Sequence, residues 1–412
     1  MQHLACSERI VIRTRYLLPC LLTGLLGCGG GAEPAALRSP AGPGAALPHL
    51  SQGPDGQVVL SWVGIEAEQA TLQYAVLQDG RWQAPVTVAS GINWFLNWAD
   101  FPSVVYIRDT LWAAHWLQKN GSETYAYDVM LAQSLDGGRT WTSGTVAHDD
   151  ATATEHGFAS LFPTDNGFGA LWLDGRNMAP ASADATPGPM TLRAAEIHAQ
   201  AGEIRQWEVD SRVCDCCQTD VAVGSRGPVA VYRDRTKDEI RDIYVTRLTD
   251  NGWLPGRTVA ADGWHITGCP VNGPAIAARG DTVVVAWFTA ARGHSRVRLA
   301  RSADGGETFS APQDIDSDQP MGRVDVVLLE DGDAVVSWLR RGARSPGEIV
   351  ARRVSPAAPL GPIRVIAETT GTRPSGFPQM AHTQESLVFA WTDTAQEQVK
   401  TAQFAIAHLS SP

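Results

Sequence analysis

The chain is poor in charge. Asp, Glu, Lys and Arg make up only 19% of its 412 residues, and the formal net charge is -11. No Lys/Arg-rich run follows the leader. A surface without a basic stripe cannot displace counterions from phosphates, so nucleic acid is excluded as a partner. The apolar run at residues 16–26 is too short to span a bilayer as a helix. Tyrosine is scarce, with 7 residues, and after residue 27 cysteine occurs only at Cys28 and in one group of four. Against these deficits stand 14 Trp and 40 Gly. Few charges with many Trp and Gly suit a β-rich exported protein better than a helical cytosolic one, and the length suffices for one large core or two domains.

The N-terminus reads as a targeting segment. Arg9, Arg13 and Arg15 form a basic region before the apolar run, and Leu25-Leu26-Gly27-Cys28 follows. That tetrapeptide resembles a bacterial lipobox, in which the cysteine becomes the lipid-bearing first residue. Residues 1–27 are therefore expected to be removed and Cys28 lipidated, with an ordinary secretory signal as the alternative. Gly29, rather than Asp, follows the cysteine, which by the same resemblance points to the outer membrane. Residues 28–47 are rich in Gly, Ala and Pro and read as a flexible tether. Residues 48–412 form the folded domain.

That domain repeats. An aromatic ends a short apolar strand at Trp62, Trp116, Trp172, Tyr232, Trp287, Trp338 and Trp391, at intervals of 54, 56, 60, 55, 51 and 53 residues. Four-stranded units at this period predict an all-β single propeller. Seven blades are favoured and six with an appended hairpin is the alternative; a pair of β-sandwiches is the competing architecture. The seventh repeat lacks an obvious fourth strand, which a stretch before Pro48 would supply.

Two repeats carry the same phrase. Ser134, Asp136, Gly138, Thr140 and Trp141 match Ser302, Asp304, Gly306, Thr308 and Phe309 in the pattern S-x-D-x-G-x-T-[WF]. Each lies between apolar-alternating runs, so each is predicted to be a hairpin turn. The Asp is expected to bind backbone N–H groups of its own loop and the Gly to take a positive φ. The phrase resembles the Asp box, or BNR repeat, of the sialidase-like propellers. That resemblance implies that the boxes are structural and lie on the face away from the active site. It also implies a site of three arginines, a Tyr activated by a Glu, and an Asp acid/base. The family's Phe/Tyr-Arg-Ile-Pro motif has its nearest counterpart in Asp100-Phe101-Pro102-Ser103, which has no Arg, and no Tyr is recognised beside a Glu. The expected function is binding of a small polar or carbohydrate-like ligand, or an envelope protein, at the channel mouth. An exo-sialidase-type glycoside hydrolase is the alternative.

The opposite face collects the exits of the second strands and the loops between blades. The candidate ligand-binding residues there are Asp174, Arg176, Arg233, Asp234, Arg235, Arg340 and Asp393. The loops add Trp94, Phe95, Trp98, His148, Asp149, Asp150, Glu155 and His156. The same face is expected to carry Cys214, Cys216 and Cys217, with Cys269 at the equivalent offset in the next repeat. Disulfides, including a Cys214–Cys269 bridge, are one reading for an exported chain. A copper(I) or zinc site completed by His265 or His156 is another, and a redox-active pair is the third.

Overall fold

The computed structural model describes residues 33–179, 186–200, 202–343 and 345–409. The leader, the lipobox and Cys28 lie outside the described residues. Seven antiparallel sheets follow one another along the chain as the blades of a β-propeller. Every repeated aromatic sits in the second strand of its blade, from Trp62 in Val58–Glu66 to Trp391 in Ser386–Asp393. These strands are near-continuous apolar runs because neighbouring blades cover both their faces; Val283 to Trp287 has no exposed side chain.

Polar bonds tie one blade to the next. The Trp287 indole donates to Asp262 at 2.7 Å, the Trp338 indole to Asp316 at 2.8 Å, and the Tyr232 hydroxyl to Asp210 at 2.6 Å. Each pair gives a buried donor its partner across an interface between blades.

The ring closes with a strand from the beginning of the domain. Ala35–Leu37 pairs antiparallel with Gln398–Ala405, placing Leu37 opposite Thr401, and so forms the outer strand of blade 7. The next strand, Ala45–Gln52, is the innermost of blade 1. The tether expected over residues 28–47 is thus corrected over its described part, because residues 35–37 and 45–47 belong to sheets. The Thr401 hydroxyl donates to the Leu37 carbonyl at 2.7 Å and accepts the Trp82 indole N–H at 3.2 Å, joining the closing strand to blade 1.

The innermost strands line a central cavity of about 160 Å³, with His49, Ser103, Ser160, Asp220, Ala275, Asp325 and Gln379 among the lining residues of successive blades. Asp220 accepts the N–H of Ile276 in the following blade at 2.8 Å, and Asp325 that of Met380 at 2.7 Å. Burial raises these carboxyls to about 6 and about 7.

Both repeated turns join the third and fourth strands. Ser134 Oγ donates to Asp136 Oδ1 at 2.8 Å and accepts the Gly138 N–H at 2.9 Å. Asp136 accepts the Thr140 N–H and hydroxyl at 2.9 and 2.7 Å, and these bonds hold its carboxyl down at about 2. The turn at 302–309 repeats the bonds through Ser302, Asp304, Gly306 and Thr308. Gly138 and Gly306 have φ of 83° and 86°, while Trp141 and Phe309 pack against the core. The weaker copies of the turn at 79–82 and 250–253 occupy the same slot in blades 1 and 4.

Candidate functional site

In an antiparallel blade the loop between strands two and three and the loop to the next blade lie at the end opposite these turns. Three interblade loops on that end bring together the chemistry-bearing residues.

The first group is Tyr127, Asp100 and Glu155. Tyr127 opens the third strand of blade 2, Tyr127–Ser134. Its ring stacks on Phe95 at 3.9 Å, and its hydroxyl lies 3.1 Å from Asp100 Oδ2 and 3.0 Å from Glu155 Oε1. A phenol carries one proton, so only one of these bonds is donated by tyrosine; the other needs a protonated carboxyl. Burial raises both acids, Asp100 to about 7 and Glu155 to about 8, with Asp100, Asp215 and Cys269 adding to the effect on Glu155. Asp100 is buried and also accepts the Phe158 N–H at 2.7 Å. Glu155 is half-buried, which makes it the acid of the pair that faces outward. The expectation that no Tyr stands beside a Glu is corrected here. The partners come from different loops, and the signal was Tyr127 starting a third strand on the face already assigned to Glu155.

The second group is the cysteines. Cys214 Sγ lies 3.5 Å from Cys217 Sγ and 3.9 Å from Cys216 Sγ. Cys269, Cys216 and Asp215 gather their ligand atoms within 4.8 Å of one another. All four cysteines are free thiols, so the Cys214–Cys269 bridge is not formed. Cys269 approaches Cys216 instead, because Cys216 points from the turn toward the neighbouring loop. The thiols of Cys216 and Cys217 beside it, helped by Arg233 and Arg241, pull Cys214 well below the usual thiol range, whereas burial pushes Cys217 up. Neither expected histidine joins the cluster. His265 pairs by its backbone with Ile240, and His156 belongs to a different centre.

That third centre is an ion-pair knot. His148 and His156 stack with ring centres 3.7 Å apart. His148 contacts Asp150 at 2.7 Å and Asp128 at 3.4 Å; His156 contacts Asp150 at 3.2 Å and Asp174 at 3.7 Å. Burial alone would lower His148, but hydrogen bonds to Asp128 and Asp150 raise it to about 9. Arg176 closes the knot against Asp174 at 2.8 Å, Asp149 at 3.2 Å and Asp150 at 3.3 Å. Asp174 is fully buried and also accepts the Trp172 indole at 2.9 Å. Asp174 and Arg176 are therefore corrected from open ligand groups to mutual partners that fasten blades 2 and 3.

The other expected ligand groups are dispersed. Arg233 is 2% exposed and donates to the carbonyls of Asn272, Arg241 and Phe288 at 3.0, 2.6 and 2.8 Å; as the last residue of its strand it clips blade 4 to blade 5. Arg340 pairs with Glu348 at 3.0 Å within blade 6, and Asp393 accepts the N–H groups of Ala395 and Gln396 in its own turn. Asp234 is buried, and burial raises it to about 7. No triad forms from Arg176, Arg233 and Arg340, since each is committed to separate partners. Arg235 alone stays at the open site, bound to Glu239 at 2.8 Å and 3.5 Å from Asp215.

No family model and no curated protein sequence matches the chain. Solved structures do. An α-L-arabinanase from Penicillium chrysogenum, complexed with arabinobiose, is 11% identical with a TM-score of 0.53, covering 91% of this chain and 99% of its own. An α-L-arabinofuranosidase from Fusarium graminearum is 12% identical with a TM-score of 0.50, covering 93% and 100%. A sialidase from Streptococcus pneumoniae is 11% identical with a TM-score of 0.45, covering 91% and 71%. The propeller fold is shared with glycoside hydrolases. At these identities the likeness speaks for fold alone.

Proposed function

We propose that this chain is a lipid-anchored propeller of the bacterial envelope that binds a polar, carbohydrate-like ligand on its loop face. Glu155 is the acid that faces that ligand. The observation that carries the reading is Glu155 itself, half-buried on the open side of the pair, hydrogen-bonded to Tyr127 and raised by burial to about 8. Asp215, whose charge acts on Glu155, and Arg235 paired with it add polar groups able to orient hydroxyls, and the repeated Asp-box-like turns occupy the other face. The resemblance of the leader to a lipobox supports the anchor. Cys28→Ser is expected to move the protein from the membrane to the soluble fraction, because a lost acyl anchor removes most membrane affinity.

Glycan-array binding of wild type and Glu155→Gln, with a panel of aryl glycosides as substrates, tests the ligand reading. Binding that weakens about tenfold in the variant, roughly the loss of one charge-assisted or acid hydrogen bond, is expected. Absence of any glycan binding sinks it. One observation favours a hydrolase: Tyr127 does touch a Glu. Against the sialidase mechanism, Tyr127 is fully buried and no guanidinium triad converges. Turnover of a sialoside that is abolished by Tyr127→Phe would put the hydrolase in place of the binding reading.

A further inference from the structure

Four sulfurs meet on the loop face, and the ligand reading uses none of them. Cys214, Cys216 and Cys217 share one tight turn before blade 4, and Cys269 comes from the loop before blade 5. The first three bring their sulfurs within 4.8 Å of one another, and Cys216 also belongs to the group with Asp215 and Cys269. Thiolates around a metal at about 2.3 Å stand roughly 3.8–4.0 Å apart. The observed 3.5 and 3.9 Å separations lie close to that edge, far beyond the roughly 2.05 Å of a disulfide.

The surroundings are those of sulfur anions. Arg241, 2% exposed, points Nη1 at Cys214 Sγ from 3.3 Å, and the buried backbone N–H of Asn272 donates to Cys217 Sγ at 3.4 Å. Donors of this kind outside a metal's ligands fix their orientation and tune them. Arg233 adds a second buried guanidinium beside the turn.

We infer that this cluster is a copper(I) site, with Cys214, Cys216 and Cys217 as thiolate ligands and Cys269 with Asp215 closing the solvent side. The donor set and its crowding in one turn point to the metal. Among the described residues no imidazole joins these sulfurs, and an all-thiolate set suits soft metals, copper(I) among them. Cys214 and Cys217 have the C-x₂-C spacing that zinc sites also use, but Cys216 between them puts three sulfurs in one four-residue turn, which suits three-coordination of copper(I) better than a four-ligand zinc site. Three thiolates around one copper(I) carry two net negative charges, and the guanidinium groups of Arg233 and Arg241 lie beside them, Arg241 being shared with Asp215 and Glu239. On binding, each coordinating thiol releases its proton to solvent, and copper keeps its oxidation state.

The test uses the full chain, reduced and handled without oxygen. Copper(I) is supplied as its acetonitrile complex in competition with bicinchoninate, and the bound metal is examined by X-ray absorption. One copper per chain is expected, with sulfur neighbours only, at about 2.3 Å. Cys217 is buried, so Cys217→Ser risks misfolding; Cys216→Ser, at a half-buried position, is measured beside it, with metal-free melting curves for both. Copper affinity at least roughly 100-fold weaker in Cys216→Ser, at unchanged melting temperature, is the expected result. Zinc retained in preference to copper(I), light-atom neighbours in the absorption spectrum, or undiminished copper affinity in both variants would overturn the assignment. So would a disulfide among the four cysteines in protein taken directly from its envelope and mapped without reductant.

Discussion

Tyr127 and Glu155 are joined by a 3.0 Å hydrogen bond that links the third strand of blade 2 to the loop entering blade 3. Burial, with Asp100, Asp215 and Cys269 nearby, raises Glu155 to about 8 from an ordinary value of 4.5. The folded protein therefore holds a proton that the unfolded chain gives up near pH 4.5. Between these values the native state binds more protons, so stability falls as pH rises. Asp100, raised to about 7, slopes the same way. Urea unfolding at pH 5, 6.5 and 8 should show wild type losing stability across the range. Glu155→Gln, which cannot ionise, should remove roughly 2–4 kcal/mol of that loss. Parallel pH profiles for the two proteins would show that Glu155 ionises normally in the fold.

The repeated turn offers a comparison of adjacent glycines. Gly137 and Gly138 both have positive φ, 77° and 83°. A Cβ at Gly137 meets nothing within 4 Å, whereas one at Gly138 would stand 2.1 Å from the Tyr74 hydroxyl, which donates to the Gly138 carbonyl at 3.0 Å. Gly137→Ala should cost about 1–2 kcal/mol for backbone strain alone. Gly138→Ala should cost about 2–4 kcal/mol, since overpacking adds to the same strain. Chemical denaturation checks the difference, and glycan binding by the surviving folded protein should not change, because the turn lies on the far face. Equal losses in the two variants would mean that Tyr74 swings aside freely.

Much of the fold was legible because one side chain recurs in one role. Trp62 to Trp391 mark second strands buried on both sides, and a period near 54 residues has few other architectures. The Ser-Asp-Gly-Thr turns were legible because their bonds are local. The site was legible in part. Periodicity assigns a residue to a face, but not to its partners across blades. Arg233 and Arg235 both follow a strand-two aromatic, yet the first is consumed by carbonyls of the neighbouring blade and the second remains at the rim. The Tyr127–Glu155 pair is not legible for the same reason, since 28 residues separate the partners. The equal offsets of Cys214 and Cys269 placed four thiols together, but gave no sideways direction, and Cys269 turns to Cys216.

The closing strand carries the last prediction. Leu37 and Thr401 pair across the seam where the beginning of the domain meets its end. A propeller whose last blade lacks its outer strand leaves Gln398–Ala405 with unpaired backbone groups along one edge. Deleting residues 33–38 should therefore remove hydrogen-exchange protection from the 401–403 amides that face the seam. Strands at the centre of blades 3 and 5 should keep theirs, because local opening follows local packing. Thr401→Val is the milder variant. It deprives the Leu37 carbonyl and the Trp82 indole of one shared partner and should destabilise by about 1–3 kcal/mol. If the deletion leaves the 401–403 amides as protected as in wild type, the Ala35–Leu37 strand does not close the ring in solution.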